Sequence, residues 1–138
     1  PIPLTPPSDQ VNSPKYEFNY SSDSSNNNII SFSIKRRKNQ AILFDTSLGG
    51  LVLNNQFLQI ITRLQSSHVY GFGENNHDSL KHNVTAKPSW GIFARDQGTN
   101  WDTNSNHYGQ HPFYLVMEQT SDDKPSGCMH GVLLLNSN

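Results

Sequence analysis

Residues 15–45 read KYEFNYSSDSSNNNIISFSIKRRKNQAILFD, and their periodicity decides the fold class. Tyr16, Phe18 and Tyr20 alternate with Lys15, Glu17 and Asn19, and after a polar loop over residues 21–28 Ile30, Phe32 and Ile34 alternate with Ser31, Ser33 and Lys35. Successive side chains of a strand point to opposite faces, so a period of two describes a half-buried strand. Lys38-Asn39 makes a turn into AILFD, Leu48-Gly49-Gly50 a turn into LVL, and Asn54-Asn55 precedes FLQIITRL. Short strands continue through HVYGF, GIFA, FYLVME and GVLLLN. No window carries a helical apolar stripe; the segment 57–64 is short and rich in β-branched residues, which suit a pleated surface. The spacing predicts an all-β fold, an antiparallel β-sandwich over residues 15–138. Residues 1–14 hold five of the eight prolines and read as an extended lead-in, because proline fixes φ and withholds a donor.

Composition narrows the partners. The 138 residues suffice for one modest domain; 33% are hydrophobic and only 15% charged, so polarity comes largely from Asn and Ser. A formal charge of −1 argues against binding nucleic acid or anionic membranes by charge alone. The longest apolar run, Val132 to Leu135, is too short to span a bilayer. Cys128 stands alone, so no disulfide forms within the segment; it is expected to be a small buried residue beside a strand, with a bridge to another part of a longer chain as the alternative. Asn19-Tyr20-Ser21 and Asn83-Val84-Thr85 are sequons, which permit N-glycosylation at Asn19 and Asn83 in a secreted or luminal protein.

Several constellations favour structure over chemistry. Lys35-Arg36-Arg37-Lys38 reads as a solvated hairpin end whose charges discourage edge pairing. His107 and His111 are four apart, but Gly109 and Pro112 oppose a helix, and on a strand that spacing is about 13 Å, too far to share a metal. Both are expected to anchor loops. Gly71-Phe72-Gly73-Glu74 lacks the third glycine and βαβ context of a dinucleotide fingerprint; its glycines suit a tight bend or bulge. Glu74 and Asp78 could form a carboxylate pair, though on a polar loop the simpler expectation is solvation. The loop from Asp96 to Asn106 differs: Trp90, Phe93 and Trp101 offer stacking surface, while Asp96, Gln97, Asn100, Asp102 and Asn104 offer polar groups. Sugars present hydroxyls around apolar C–H faces, so this mixture suits them, although an ordinary surface loop can share it.

An ordered set of motifs then stands out: FLQ (57–59), TRL (62–64), VYGFGE (69–74), Trp90 with FARD (93–96), NHYG (106–109), HPFY (111–114) and HGVLLLNSN (130–138). YEF, FSIKRR and LFDTSLGGL carry a weaker likeness upstream. Together they resemble the N-terminal β-sandwich domain of glycoside hydrolase family 31, in its maltase-glucoamylase, sucrase-isomaltase and lysosomal acid α-glucosidase group. The resemblance implies a sandwich similar to galactose mutarotase, incomplete without a (β/α)8 barrel and further β domains of the same enzyme, with two barrel aspartates acting by retention. No catalytic residue is thus expected on this chain, and no cofactor or metal. It further implies that Asp96, in the Arg95-Asp96 pair of a loop at about 95–107, contacts the substrate sugar, while Arg95 holds the loop. Gly98, where some relatives place a threonine, offers no second contact, and TNWDTNSN is longer than the family's usual loop. The implied function is a segment of an exo-α-glucosidase in the secretory pathway (extracellular, cell-surface or lysosomal). Its expected partners are an α-1,4-linked, and also an α-1,6-linked, oligosaccharide and the rest of the enzyme, with no nucleic acid and no membrane segment. The alternative is a catalytically silent relative that binds carbohydrate or serves as a receptor.

Overall fold

A computed structural model describes residues 13–23, 29–49, 51–85, 89–98, 104–120 and 122–135. The lead-in expected over residues 1–14 lies outside them up to residue 12. Among the described residues the chain has no helix and eight strands: β1 (Tyr16–Asp23), β2 (Ile29–Arg36), β3 (Ile42–Asp45), β4 (Leu51–Asn54), β5 (Phe57–Ile60), β6 (Val69–Gly71), β7 (Phe113–Gln119) and β8 (Pro125–Leu133). All pairings are antiparallel and form two sheets, an all-β architecture consistent with the sandwich-like domain that the periodicity suggests. The chain divides into two compact units, residues 1–63 and 64–138, each holding one sheet.

The first unit orders its strands β1-β2-β4-β5, with β3 also paired to β2. Tyr20 faces Phe32 and Phe18 faces Ile34 across β1 and β2, so the alternating apolar sets share one face. On the other face Glu17 opposes Lys35, a favourable cross-strand charge pair. Rings continue the apolar row from Phe18 to Phe32 (5.7 Å) and on to Phe44 (5.5 Å, stacked). Beside the row, Thr46 is wholly buried; its hydroxyl accepts from Phe32 N (2.9 Å) and donates to Phe32 O (3.3 Å), which satisfies both polar groups. Asp45 Oδ1 accepts from Ser47 N (2.9 Å) at the turn before β4, and that bond holds the carboxyl below its usual range. The basic run forms the β2–β3 turn at residues 37–39, as a charged hairpin end should.

Strand bounds differ from the periodicity in four places. β1 continues through Ser21-Ser22-Asp23, which pair with Ser31, Ile30 and Ile29, because a polar strand can extend wherever its partner supplies the ladder. β5 stops at Ile60. Residues 91–94 are irregular rather than a strand, since their neighbourhood meets residues 106 and 107 through single bonds, not a ladder. β8 begins at Pro125, so Cys128, expected to be buried, lies on the edge strand and is exposed. As the last strand of its sheet β8 has a neighbouring strand on one side only among the described residues, and the pairing register shifts beside Cys128 between Met117 and Gln119.

The second unit carries the sheet β6-β7-β8. Val69 pairs with Val116 and Tyr114 with Val132, and the core cluster is Val69, Tyr114 and Val116 with Leu64, Phe72, Val84 and Val132 against it. Val116 is 0% exposed, and full burial of such a side chain stabilises by about 1.5–3 kcal/mol. Burial pushes the Tyr114 phenol up to about 12. On the same face of β7, Glu118 is buried with its Oε1 3.1 Å from His130 Nδ1, a paired arrangement that keeps a carboxylate tolerable there. Ser66 Oγ donates to Met117 O, and Met117 N donates to His68 O, joining the lead into β6 to β7.

Around Phe72 lies a ring cluster. Phe72 stacks on Tyr114 (5.1 Å), Trp90 stacks on His82 (5.0 Å, 18°), and His77 meets both His82 and Trp90 edge-on. His82 N donates to Val69 O (2.8 Å) and its Nε2 donates to Gly71 O (2.7 Å), so this imidazole staples residue 82 across the end of β6. Burial, and then the neighbouring His82, hold the His77 pKa below its usual 6.5. The unfolded chain therefore binds more protons than the folded one between the folded value and 6.5. The resulting stability is present above pH 6.5 and is lost as pH falls toward the folded pKa. Amide protection factors in β6 and β7, taken relative to the intrinsic exchange rate at each pH, should fall on acidification below about 6.5 and fall less in His77→Phe.

Gly71 ends β6 at φ +113°, where a Cβ would collide with Phe113 O and Tyr114 Cα, both backbone atoms that cannot step aside. Gly71→Ala should destabilise the second unit by roughly 2 kcal/mol or more, read as earlier thermal unfolding or faster proteolysis between β6 and β7.

Candidate functional site

Past Gly71 the chain leaves β6 but keeps its partner. Phe72 N donates to Phe113 O (2.8 Å), His111 N to Gly73 O (2.7 Å), Glu74 N to Gly109 O (3.1 Å) and His107 N to Glu74 O (3.2 Å). An isolated bridge pairs Asn75 with Asn106, and Asn76 N donates to Ser105 O (3.2 Å). Segment 72–76 therefore runs antiparallel to 105–113 and prolongs the β6–β7 pairing into irregular backbone. Asn76 Oδ1 accepts from Ser105 N (2.7 Å), and Asn75 Nδ2 donates to Phe72 O (2.9 Å), so amide side chains satisfy backbone groups that a ladder would otherwise pair.

A third segment docks on residues 106 and 107. Asn106 Nδ2 donates to Gly91 O (2.8 Å), and Arg95 N donates to His107 O (2.7 Å). The His107 ring is buried, with Nδ1 3.3 Å from Gln97 O; a carbonyl only accepts, so Nδ1 carries the proton in this bond. His107 Nε2 is buried with no hydrogen-bond partner among the described residues. His107 thus grips the chain on both sides of Asp96, at Arg95 and at Gln97, and acts as the loop anchor anticipated from its sequence setting.

Asp96 itself lies on the bend between these two bonds and is exposed, and its carboxylate makes no hydrogen bond or ion pair among the described residues. A carboxylate held this way can accept hydrogen bonds from a polar ligand, and charge-assisted bonds of that kind are stronger than neutral ones. Arg95 is exposed too, and its backbone is what the loop uses. Beside Gly98 a Cβ would meet only the Tyr108 hydroxyl at 3.7 Å, so there is room for a side chain that glycine does not supply.

The other residues singled out from the sequence scatter. Trp90 packs into the ring cluster with Phe72, His77 and His82, whereas Phe93 is exposed. Asn100, Trp101 and Asp102 lie outside the described residues. Asp78 lines a cleft of about 430 Å³ with His77, His82, Trp90 and Asn104, while Glu74 points its carboxylate at Gly109, so the two acids are engaged separately. Glu74 is more than a solvated acid: Oε2 accepts from Gly109 N (2.9 Å), and Oε1 lies 3.8 Å from His111 Nε2. Sequence reasoning missed that role because Glu74 and Gly109 are 35 residues apart. Asn19 is exposed on β1, where its amide donates to Glu17 (3.0 Å). Asn83 is exposed and its Oδ1 accepts from both the N (3.2 Å) and Oγ1 (2.9 Å) of Thr85, so the sequon closes on itself as a local turn. Among the described residues no three His, Cys, Asp or Glu side chains gather to hold a metal ion, and no helix is long and apolar enough to cross a membrane.

No family profile matches the chain. Individual relatives do. The chain is 38% identical over its whole length to a human protein named probable maltase-glucoamylase 2, of which it covers 5%. It is 48% identical over 78% of its length to rabbit intestinal sucrase-isomaltase, covering 6% of that protein. It is 32% identical over 99% of its length to mouse lysosomal α-glucosidase, covering 13%. The chain therefore spans only a small part of the relatives it matches. Identity of this extent over three quarters or more of the chain means that it belongs to glycoside hydrolase family 31, its match to a small part of each relative being consistent with an N-terminal domain.

Proposed function

We propose that this chain is the N-terminal β segment of a retaining exo-α-glucosidase that releases glucose from α-1,4-linked malto-oligosaccharides, with α-1,6 linkages as a second substrate class. In this reading the segment packs on the catalytic barrel and lends Asp96 to the substrate pocket. The observation that carries it is the exposed Asp96 carboxylate, set on a bend whose two flanks are bonded to His107. Support also comes from relatives whose names are those of maltases, sucrases and α-glucosidases. Because the chain covers 5–13% of those relatives, a protein of their length has ample room for a barrel of about 250 residues bearing the two carboxylates that retention needs.

Asn19 and Asn83 serve as glycan acceptors in the same reading, which places the enzyme in the secretory pathway. Intestinal and lysosomal relatives fit that location. Both asparagines are exposed, as glycan attachment demands. Expressed through a secretory host, the full protein should lose one glycan mass in each of Asn19→Gln and Asn83→Gln; an unchanged mass in either variant removes that acceptor.

In the full-length enzyme Asp96→Asn should lower kcat/KM for maltose about tenfold, near 1.4 kcal/mol of lost transition-state binding, with the melting temperature unchanged. Wild-type kinetics in that variant would take Asp96 out of the substrate site.

A further inference from the structure

The conspicuous Gly71-Phe72-Gly73-Glu74 motif has no part in the substrate reading above, yet Glu74 makes more bonds to segment 105–111 than any local turn requires. Its backbone N donates to Gly109 O (3.1 Å), its backbone O accepts from His107 N (3.2 Å), and its carboxylate Oε2 accepts from Gly109 N (2.9 Å). One residue therefore clamps both backbone groups of Gly109 and the amide of His107. A Cβ at position 109 would sit 2.9 Å from Glu74 Oε1 and 3.1 Å from His111 Nε2, so a side chain there would displace this carboxylate from its bond. His107, once clamped, presents its carbonyl to Arg95 N (2.7 Å) and its Nδ1 to Gln97 O (3.3 Å), the two flanks of Asp96.

We propose that Glu74 is a positioning residue for Asp96: its carboxylate, through Gly109 and His107, fixes the place of the substrate-binding bend. The inference rests on the substrate role proposed for Asp96. A charge-assisted bond from an amide to a carboxylate is stronger than a neutral one, and it holds a segment that has no regular ladder beyond β7. Without it Gly109 N loses its partner, the 107–109 backbone keeps its bonds to Glu74 N and O and to Arg95 N, and the Arg95 and Gln97 anchors inherit the added freedom. The side-chain carboxylate touches no substrate in this scheme; it acts by limiting where Asp96 can be.

The test uses the full-length enzyme with Glu74→Ala, Glu74→Gln, Asp96→Asn and the Glu74→Ala/Asp96→Asn double variant, read by maltose kinetics and by hydrogen exchange of residues 94–98. Glu74→Ala should raise KM roughly three- to tenfold with a smaller change in kcat, and should speed exchange at Arg95. Glu74→Gln, whose amide oxygen can still accept from Gly109, should restore both. The double variant should be little worse than Asp96→Asn alone, because the two act through one contact. Unaltered exchange at residues 94–98 in a folded Glu74→Ala enzyme overturns the brace. Faster exchange with unaltered KM, or effects that add in the double variant, overturns its positioning of Asp96. If Asp96→Asn alone leaves kinetics at wild-type values, the substrate reading of Asp96 fails, and the exchange data still decide whether Glu74 holds the bend.

Discussion

The antiparallel pairing of residues 72–76 with 105–113 is the constraint on which the candidate site depends. A strand that ends releases its neighbour's N–H and C=O groups, and buried backbone groups must find partners. Here β6 is only three residues long, yet its partner is not released: the bonds from Phe72 through Asn76 carry the pairing onward without regular strand geometry. Everything about the Asp96 bend is downstream of that, since the bend docks on Asn106 and His107 and these are placed by Glu74 and Asn75.

Polar residues do much of the work usually left to apolar ones, as a chain with only 33% hydrophobic residues requires. In the first unit Thr46 occupies a wholly buried position by bonding both backbone groups of Phe32. In the second, His82 fills the ring cluster while stapling the end of β6, and Glu118 with His130 sits on the same face as the Val116 core. Each is a buried polar group with its partner supplied, which is the condition for such groups to be tolerated at all. Trp90 Nε1, in the ring cluster, and His107 Nε2, on the anchor of the Asp96 bend, are the two departures among the described residues.

The all-β class, most strand centres and the hairpin end at residues 37–39 were legible because a half-buried strand writes its period of two directly into the chain. The motif likeness was legible as well, and relatives with 32–48% identity agree with it. Other features were not. GIFA has strand composition but no ladder, since strand composition does not supply a partner. Cys128 has the composition of a core residue but lies on an edge strand at a register shift, and neither edge position nor register is local information. Trp90 looked like a stacking surface for a ligand, and its ring is occupied by His82 and Phe72.

By itself the sequence determined the fold class, the family and the identity of the acid on the Arg95-Asp96 loop, because periodicity and motif order are properties of neighbours along the chain. Only the tertiary structure decided that Glu74 meets Gly109 across 35 residues, that His107 holds both flanks of Asp96, and that the carboxylate between them stands exposed. Those contacts follow from which backbone groups are left unpaired once the sheet has formed, and that remainder is fixed by the register of β6 on β7.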